Sequence, residues 1–159
     1  MTDGVAELHR ARLAYEASLR ALDQQQRVLE DIRSRTGVLL AAASLSASFL
    51  GARAFDGHAS VVLSLLALAS FVVTLLLGIL ILTPRAQFVF STAGSVLYRD
   101  LHDLDDPSEQ HRHTAYWLDA FWEANKSPIQ RLTRRFEVAA GALVVQILCW
   151  VLAVTVTLS

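Results

Sequence analysis

Apolar and polar positions follow one rule in the first quarter of the chain and another beyond it. Between residues 5 and 36, Leu8, Tyr15, Leu22 and Leu29 recur every seven positions, with Ala11, Leu19 and Ile32 at the intervening three- or four-residue steps. Neither glycine nor proline interrupts the stretch. The spacing predicts one amphipathic helix, on the order of 45 Å long at 1.5 Å per residue. Arg12 and Gln26 fall on or near the apolar seam, which leaves two uses for it. The helix either lies against the protein's own polar segments or pairs with another subunit as a coiled coil.

Past residue 35 the stripe gives way to blocks. Residues 36–52, 59–84 and 138–159 carry no charged side chain over 17, 26 and 22 positions, against roughly 20 apolar residues needed to cross a bilayer core. The middle block, ASVVLSLLALASFVVTLLLGILILTP, is dense in Leu and Val and reads as a membrane span. A chain of 159 residues could bury one such helix in a soluble core but hardly three. The expected fold is therefore an all-α integral membrane protein with three transmembrane helices. Its segments are a cytosolic amphipathic or coiled-coil helix (1–35), a transmembrane hairpin (36–83, with spans 36–55 and 59–83), a cytosolic helical segment (84–135) and a third span (136–158).

The first span, GVLLAAASLSASFLGA, is unlike the second because half of it is alanine or serine. Gly37 and Ala41 are four apart, as are Ser44 and Ser48, and Ala43, Ala47 and Gly51 continue the spacing. Small residues at that interval let helix backbones approach closely. Ser60, Ser64, Ala67, Thr74 and Gly78 supply a matching face on the second span. The first span is thus expected to sit inside a bundle, shielded from lipid by the leucine-rich second. Asp56 and Gly57 in the short link RAFDGH suit a tight turn and an antiparallel hairpin.

Composition supports this picture and charge orients it. Hydrophobic residues make up 53% and charged residues 18%, and the mean hydropathy is +0.40, above the usual range of a small soluble domain. Of 14 Lys and Arg residues all but Arg53 fall before the first block or between the second and third. The positive-inside rule then places the amino terminus in the cytosol and Ser159 outside, with Arg53 snorkelling to the outer headgroups. Arg85, Arg131, Arg134 and Arg135 mark the cytosolic membrane interface, where lipid phosphate explains them. The net charge of −1 gives no basic excess for a nucleic-acid polymer.

Between the second and third blocks, QFVFSTAGSVLYRDLHDLDD suggests a partly helical piece near the membrane surface. A helix is expected to start at Pro107 behind Asp106 as cap and to end near Asn125. On it Ala115, Leu118, Phe121 and Trp122 share one face, with Arg112, Asp119 and Glu123 turned away. Ser127, Pro128 and Gln130 then form a capping-box pattern that predicts a fresh helix start.

Candidates for chemistry are few. His102, Asp103, Asp105, Asp106, His111 and His113 are metal-capable, but the HRH spacing turns its imidazoles to different helix faces, and a solvated acidic loop accounts for the cluster. The seven glycines form no phosphate loop, Ser95 lacks a nucleophile elbow, and Cys149 reads as a small apolar residue. No enzyme, metal or cofactor is expected. Gln146 is the one strongly polar side chain deep in a span, so its amide should pair with the first two spans or with Gln146 of a neighbouring copy.

RVLEDIRSRTGVLLAAASLSASFLGA and NKSPIQRLTRRFEVAAGALVVQILCW, each a basic segment leading into a span, with Asn125 before the last helix, resemble the small bacterial membrane proteins grouped as SLATT and Pycsar transmembrane effector families. The likeness covers roughly residues 22 to 158. It implies an anti-phage effector of the bacterial inner membrane that oligomerises and compromises that membrane after a nucleotide second messenger appears. This chain carries no recognisable cyclic-nucleotide-binding domain, so its trigger would be a cytosolic signalling protein or a site in its own cytosolic helices. The expected function is an oligomeric membrane effector acting by pore formation or membrane perturbation, with the lipid bilayer and its own copies as partners. The alternative is a non-catalytic membrane anchor or scaffold that docks a cytosolic partner through the N-terminal helix or through Trp117, Phe121 and Trp122.

Overall fold

The computed structural model describes residues 2–56, 61–83, 88, 101–102, 104 and 106–158. Three long helices carry these residues, α1 (Thr2–Asp56), α2 (Val61–Leu82) and α3 (Pro107–Leu158), and no strand occurs among them. Each helix holds a stretch long and apolar enough to cross a membrane. α2 alone, at 22 residues, spans about 33 Å, enough for a bilayer core of roughly 30 Å. The chain divides into two compact units, Met1–Glu30 with Arg85–Gln130, and Asp31–Pro84 with Arg131–Ser159.

In the first unit the amphipathic pattern of α1 is buried in part within the chain, with Leu8 and Leu19 left exposed. Leu22 and Leu29 are buried, as are Ala115, Leu118 and Ile129 of α3, and each buried leucine contributes about 1.5–3 kcal/mol. Ser18 donates to Asp119 Oδ1 at 2.8 Å and Gln25 Nε2 to the Trp122 carbonyl at 3.0 Å. Asp119 is exposed, off the apolar face, yet reaches α1 through this bond. Further up the seam Tyr15 is half-buried with its ring edge against His111, and Leu8 is exposed. The outer face of α1 is laced by i,i+4 pairs, Arg12 and Arg20 with Glu16, and Arg27 with Asp23.

The start of α3 follows its sequence. Asp106 caps it, Oδ1 accepting from the Ser108 N–H at 2.9 Å and Oδ2 from the Ser108 hydroxyl at 2.7 Å. Its middle does not, because the helix continues through Asn125–Pro128 where a break is expected. An internal proline costs about 3 kcal/mol. Asn125 and Ile129 are buried on either side of it, and ending the helix there would expose them. The helix carries through the proline and keeps both residues inside.

The second unit packs all three helices. Gly51 lies against the Trp150 ring while Ala43 meets Gln146, so α1 and α3 run in the same direction. Thr74 reaches Ala139, whereas Ala67 packs with Cys149, Trp150 and Ala153, so α2 runs against them. The core is lined by residues with little or no side chain beyond Cβ, Ala43, Ala67, Ala139 and Ala153, all fully buried. Such a lining is what permits close backbone approach without a solvent-derived driving force.

The first span is not shielded as its composition suggests. Val38 and Phe49 are 70% and 72% exposed, and Ala41, Ala42, Ser44, Leu45 and Ser48 are exposed with them. Two neighbouring helices cover only part of a cylinder, so one flank of α1 faces outward however small its residues are. The expected turn at Gly57, most of residues 87–106 and Arg85 lie outside the described residues.

Candidate functional site

Within the second unit the polar side chains converge on the α1–α3 contact. Gln146 is fully buried, and its Nε2 donates to the Ala43 carbonyl at 2.9 Å and to Ser46 Oγ at 2.7 Å. Ser46 in turn donates to the Ala43 carbonyl at 3.0 Å, closing a three-membered set around one backbone oxygen. Both amide protons are therefore used, while Gln146 Oε1 is buried with no partner. A half-satisfied amide in an apolar setting costs more than an apolar side chain of the same shape. The amide finds its partners in the chain's own first span. Ser46 escaped sequence reasoning because the eye follows the Ser44–Ser48 pair, whereas the register of α1 turns Ser46 inward.

The small residues named from the sequence separate into two sets. Ala43, Gly51, Thr74 and Gly78 are buried and Ala47 and Ser64 half-buried, while Gly37, Ala41, Ser44 and Ser48 are exposed. At Gly78 the fit is tight, since a Cβ there would stand 2.6 Å from Leu40 Cδ2 and 2.9 Å from its Cγ. Gly51 has ordinary room, with the Trp150 ring at 3.5 Å, and Gly37 has nothing within 4 Å. Thr74 donates to the Ser70 carbonyl at 3.0 Å and leans towards that of Ala139 at 3.4 Å, which ties α2 to α3 through a hydroxyl that costs α2 nothing. Ser44 back-bonds to the Leu40 carbonyl at 2.9 Å, so its outward hydroxyl is satisfied without a partner helix.

In the first unit a cavity of about 380 Å³ is bordered by Gln24, Gln25, Val28, Trp122, Lys126 and Ile129. The Lys126 ammonium stands 4.9 Å from the Trp122 ring centroid and 3.7 Å from Glu123, so its charge is answered from two sides. Trp117 leans on His113 with ring centroids 5.1 Å apart, and Phe121 is half-buried. The aromatic residues considered for docking are therefore partly engaged already.

The basic residues at the start of the membrane-length part of α3 differ from all this. Arg131 and Arg134 are exposed and Arg135 half-buried, and none of the three has an acidic partner among the described residues. The contacts described in this arrangement are those of helix packing and surface charge. The arrangement defines an all-α protein whose three membrane-length helices mark it as a multi-pass membrane protein. Comparison with known proteins adds nothing to that class, since no family model, curated protein or solved structure matches the chain.

Proposed function

We propose that the protein is a non-catalytic membrane effector that acts as an assembly of several copies, with the amino terminus and residues 84–135 in the cytosol and Ser159 outside. The observation that carries this reading is the outer flank of α1, where Gly37, Ala41, Ser44 and Ser48 are exposed at positions where lipid favours leucine and valine. Small and hydroxyl-bearing residues on a membrane-facing flank suit helix–helix contact between copies. Three helices enclose no channel, so a conducting path would need several subunits. The resemblance to SLATT and Pycsar effectors supports an inner-membrane, anti-phage setting in which assembly compromises the membrane.

The test has two parts. Purified in mild detergent, the protein is expected to have the mass of a discrete oligomer, and triggered or overproduced in bacteria it is expected to collapse the membrane potential. A strict monomer with a silent membrane would overturn the proposal. That outcome, together with a co-purifying cytosolic protein, would favour the anchor reading, for which the exposed Tyr116 and the cavity beside Trp122 are the available surfaces.

A further inference from the structure

Among the described arginines five are paired with a carboxylate, and four of the unpaired ones are gathered at one place, Arg10 standing apart near the amino terminus. Arg12, Arg20, Arg27, Arg35 and Arg112 each meet a carboxylate three or four residues away. Arg33, Arg131, Arg134 and Arg135, all in the second unit, have no such partner among the described residues. Arg33 is half-buried, and its Nε is fully shielded without a hydrogen-bond acceptor. A guanidinium that has lost part of its water and gained no anion is costly.

The four arginines lie at one level of that unit. Arg33 precedes Ala43 by ten residues and Arg135 precedes Gln146 by eleven, about 15 and 16 Å of helix below the Ala43–Gln146 contact. α1 and α3 run in the same direction there, so both arginines sit at the same height. Arg33 lies one turn from the buried Leu29 and Thr36, and Arg135 one turn from the buried Leu132 and Ala139, so both border the packed stripes. Arg131 lies one turn before the other two, three residues from Arg134 and four from Arg135, and so neighbours both on the helix surface. The acids at this level are Glu30, which accepts from Gln26 Nε2 at 2.9 Å, Asp31, already held by Arg35 at 2.9 Å, and Glu137, exposed on α3. Five arginines against three carboxylates leave the level net positive, directly before the apolar parts of α1 and α3.

We propose that Arg33, Arg131, Arg134 and Arg135 form a binding site for the phosphodiester headgroup of an anionic phospholipid. The site rests on the membrane-spanning reading of α1 and α3. A planar guanidinium bonds phosphate oxygens in pairs, and at the boundary of a hydrocarbon layer the abundant anion is lipid phosphate. The half-buried Arg33 gives the site its selectivity, because a zwitterionic headgroup brings its own cation into a place that has an excess of them.

The full chain in maltoside micelles would be titrated with dioctanoyl phosphatidylglycerol, dioctanoyl phosphatidylcholine and inorganic phosphate, following the thermal unfolding midpoint. The midpoint is expected to rise saturably with phosphatidylglycerol alone. Each arginine near an anionic surface contributes about fivefold in affinity (about 1 kcal/mol), so R131Q should weaken the effect about fivefold and R33Q/R131Q/R135Q on the order of a hundredfold. R12Q/R20Q removes the same kind of charge from residues paired with Glu16 and should change nothing, and R33K controls for folding by keeping the charge. Equal response to both lipids, reproduction by inorganic phosphate, or equal loss in R12Q/R20Q would each overturn the site. Carbonate extraction of membranes separates this failure from the other one: a chain that is not extracted yet shows no lipid preference sinks the site alone, whereas an extracted chain sinks the spanning reading beneath it.

Discussion

Gln146 and Gly78 show how single side chains set the terms of packing in the second unit. Gln146 satisfies both amide protons but leaves Oε1 buried and unpartnered, so its polar contacts gain little net stability. Interhelical hydrogen bonds in membranes average about 0.6 kcal/mol, and an apolar isostere removes the orphaned acceptor. Q146L is therefore expected to leave resistance to unfolding within about 1 kcal/mol of the parent, whereas Q146A, which opens a cavity, should lose about 2 kcal/mol or more. Titrating the protein from mild detergent into denaturing detergent would check both, and a Q146L loss as large as that of Q146A would show the hydrogen bonds to dominate. Gly78 makes the complementary case. A methyl at 2.6 Å from Leu40 Cδ2 forces Leu40 out of place, so G78A should cost about 1–3 kcal/mol. G51A, facing the Trp150 ring at 3.5 Å, should be nearly neutral in the same measurement.

At the scale of whole helices, the caps and the stripes were legible and the continuities were not. Asp106 before Pro107 marks the start of α3 in the sequence as in the structure. The Ser127–Pro128 pattern carries the same local signal, but Asn125 and Ile129 are buried around it, and tertiary burial is invisible to a local motif. The cap also yields a pH effect of definite sign. The Asp106 carboxylate is held below its ordinary value of 3.8 by the Ser108 hydroxyl and then by the Ser108 N–H. A lowered folded pKa means the cap is complete above that ordinary value and is lost as pH falls through the lowered one. Amide exchange should therefore show protection of the first turn of α3 fading only under strongly acidic conditions. D106N, which keeps an acceptor for Ser108 but has no proton to gain, should remove the pH dependence and D106A the protection itself.

For the molecule as a whole, three apolar blocks announced three membrane-length helices, because lipid imposes one requirement on every spanning residue and composition alone reports it. Which flank of each helix faces a neighbour was only half legible. Gly37, Ala41, Ser44 and Ser48 have the same composition as Ala43, Ala47 and Gly51, and only the register against α2 and α3 separates the outward set from the inward one. The seam of α1 posed the same ambiguity, and the burial of Leu22 and Leu29 changes how assembly must be tested. Leu22 and Leu29 are 3% and 4% exposed within a single chain, so charging them buries an unpaired ion. L22E or L29E should cost about 3–5 kcal/mol and appear as loss of helix and aggregation, not as clean dissociation. A variant that asks about assembly must lie on a surface the monomer leaves open. A methyl added at Gly37 would meet nothing within 4 Å, and Phe49 is 72% exposed, so G37L and F49A leave the monomer's own contacts intact. If copies associate through the outer flank of α1, G37L should lower the mass measured in detergent while the unfolding midpoint of the separated chain is unchanged. An oligomer indifferent to both variants would move the contact to another face, and the open flank at Gly141, also with nothing within 4 Å, is the place to substitute next.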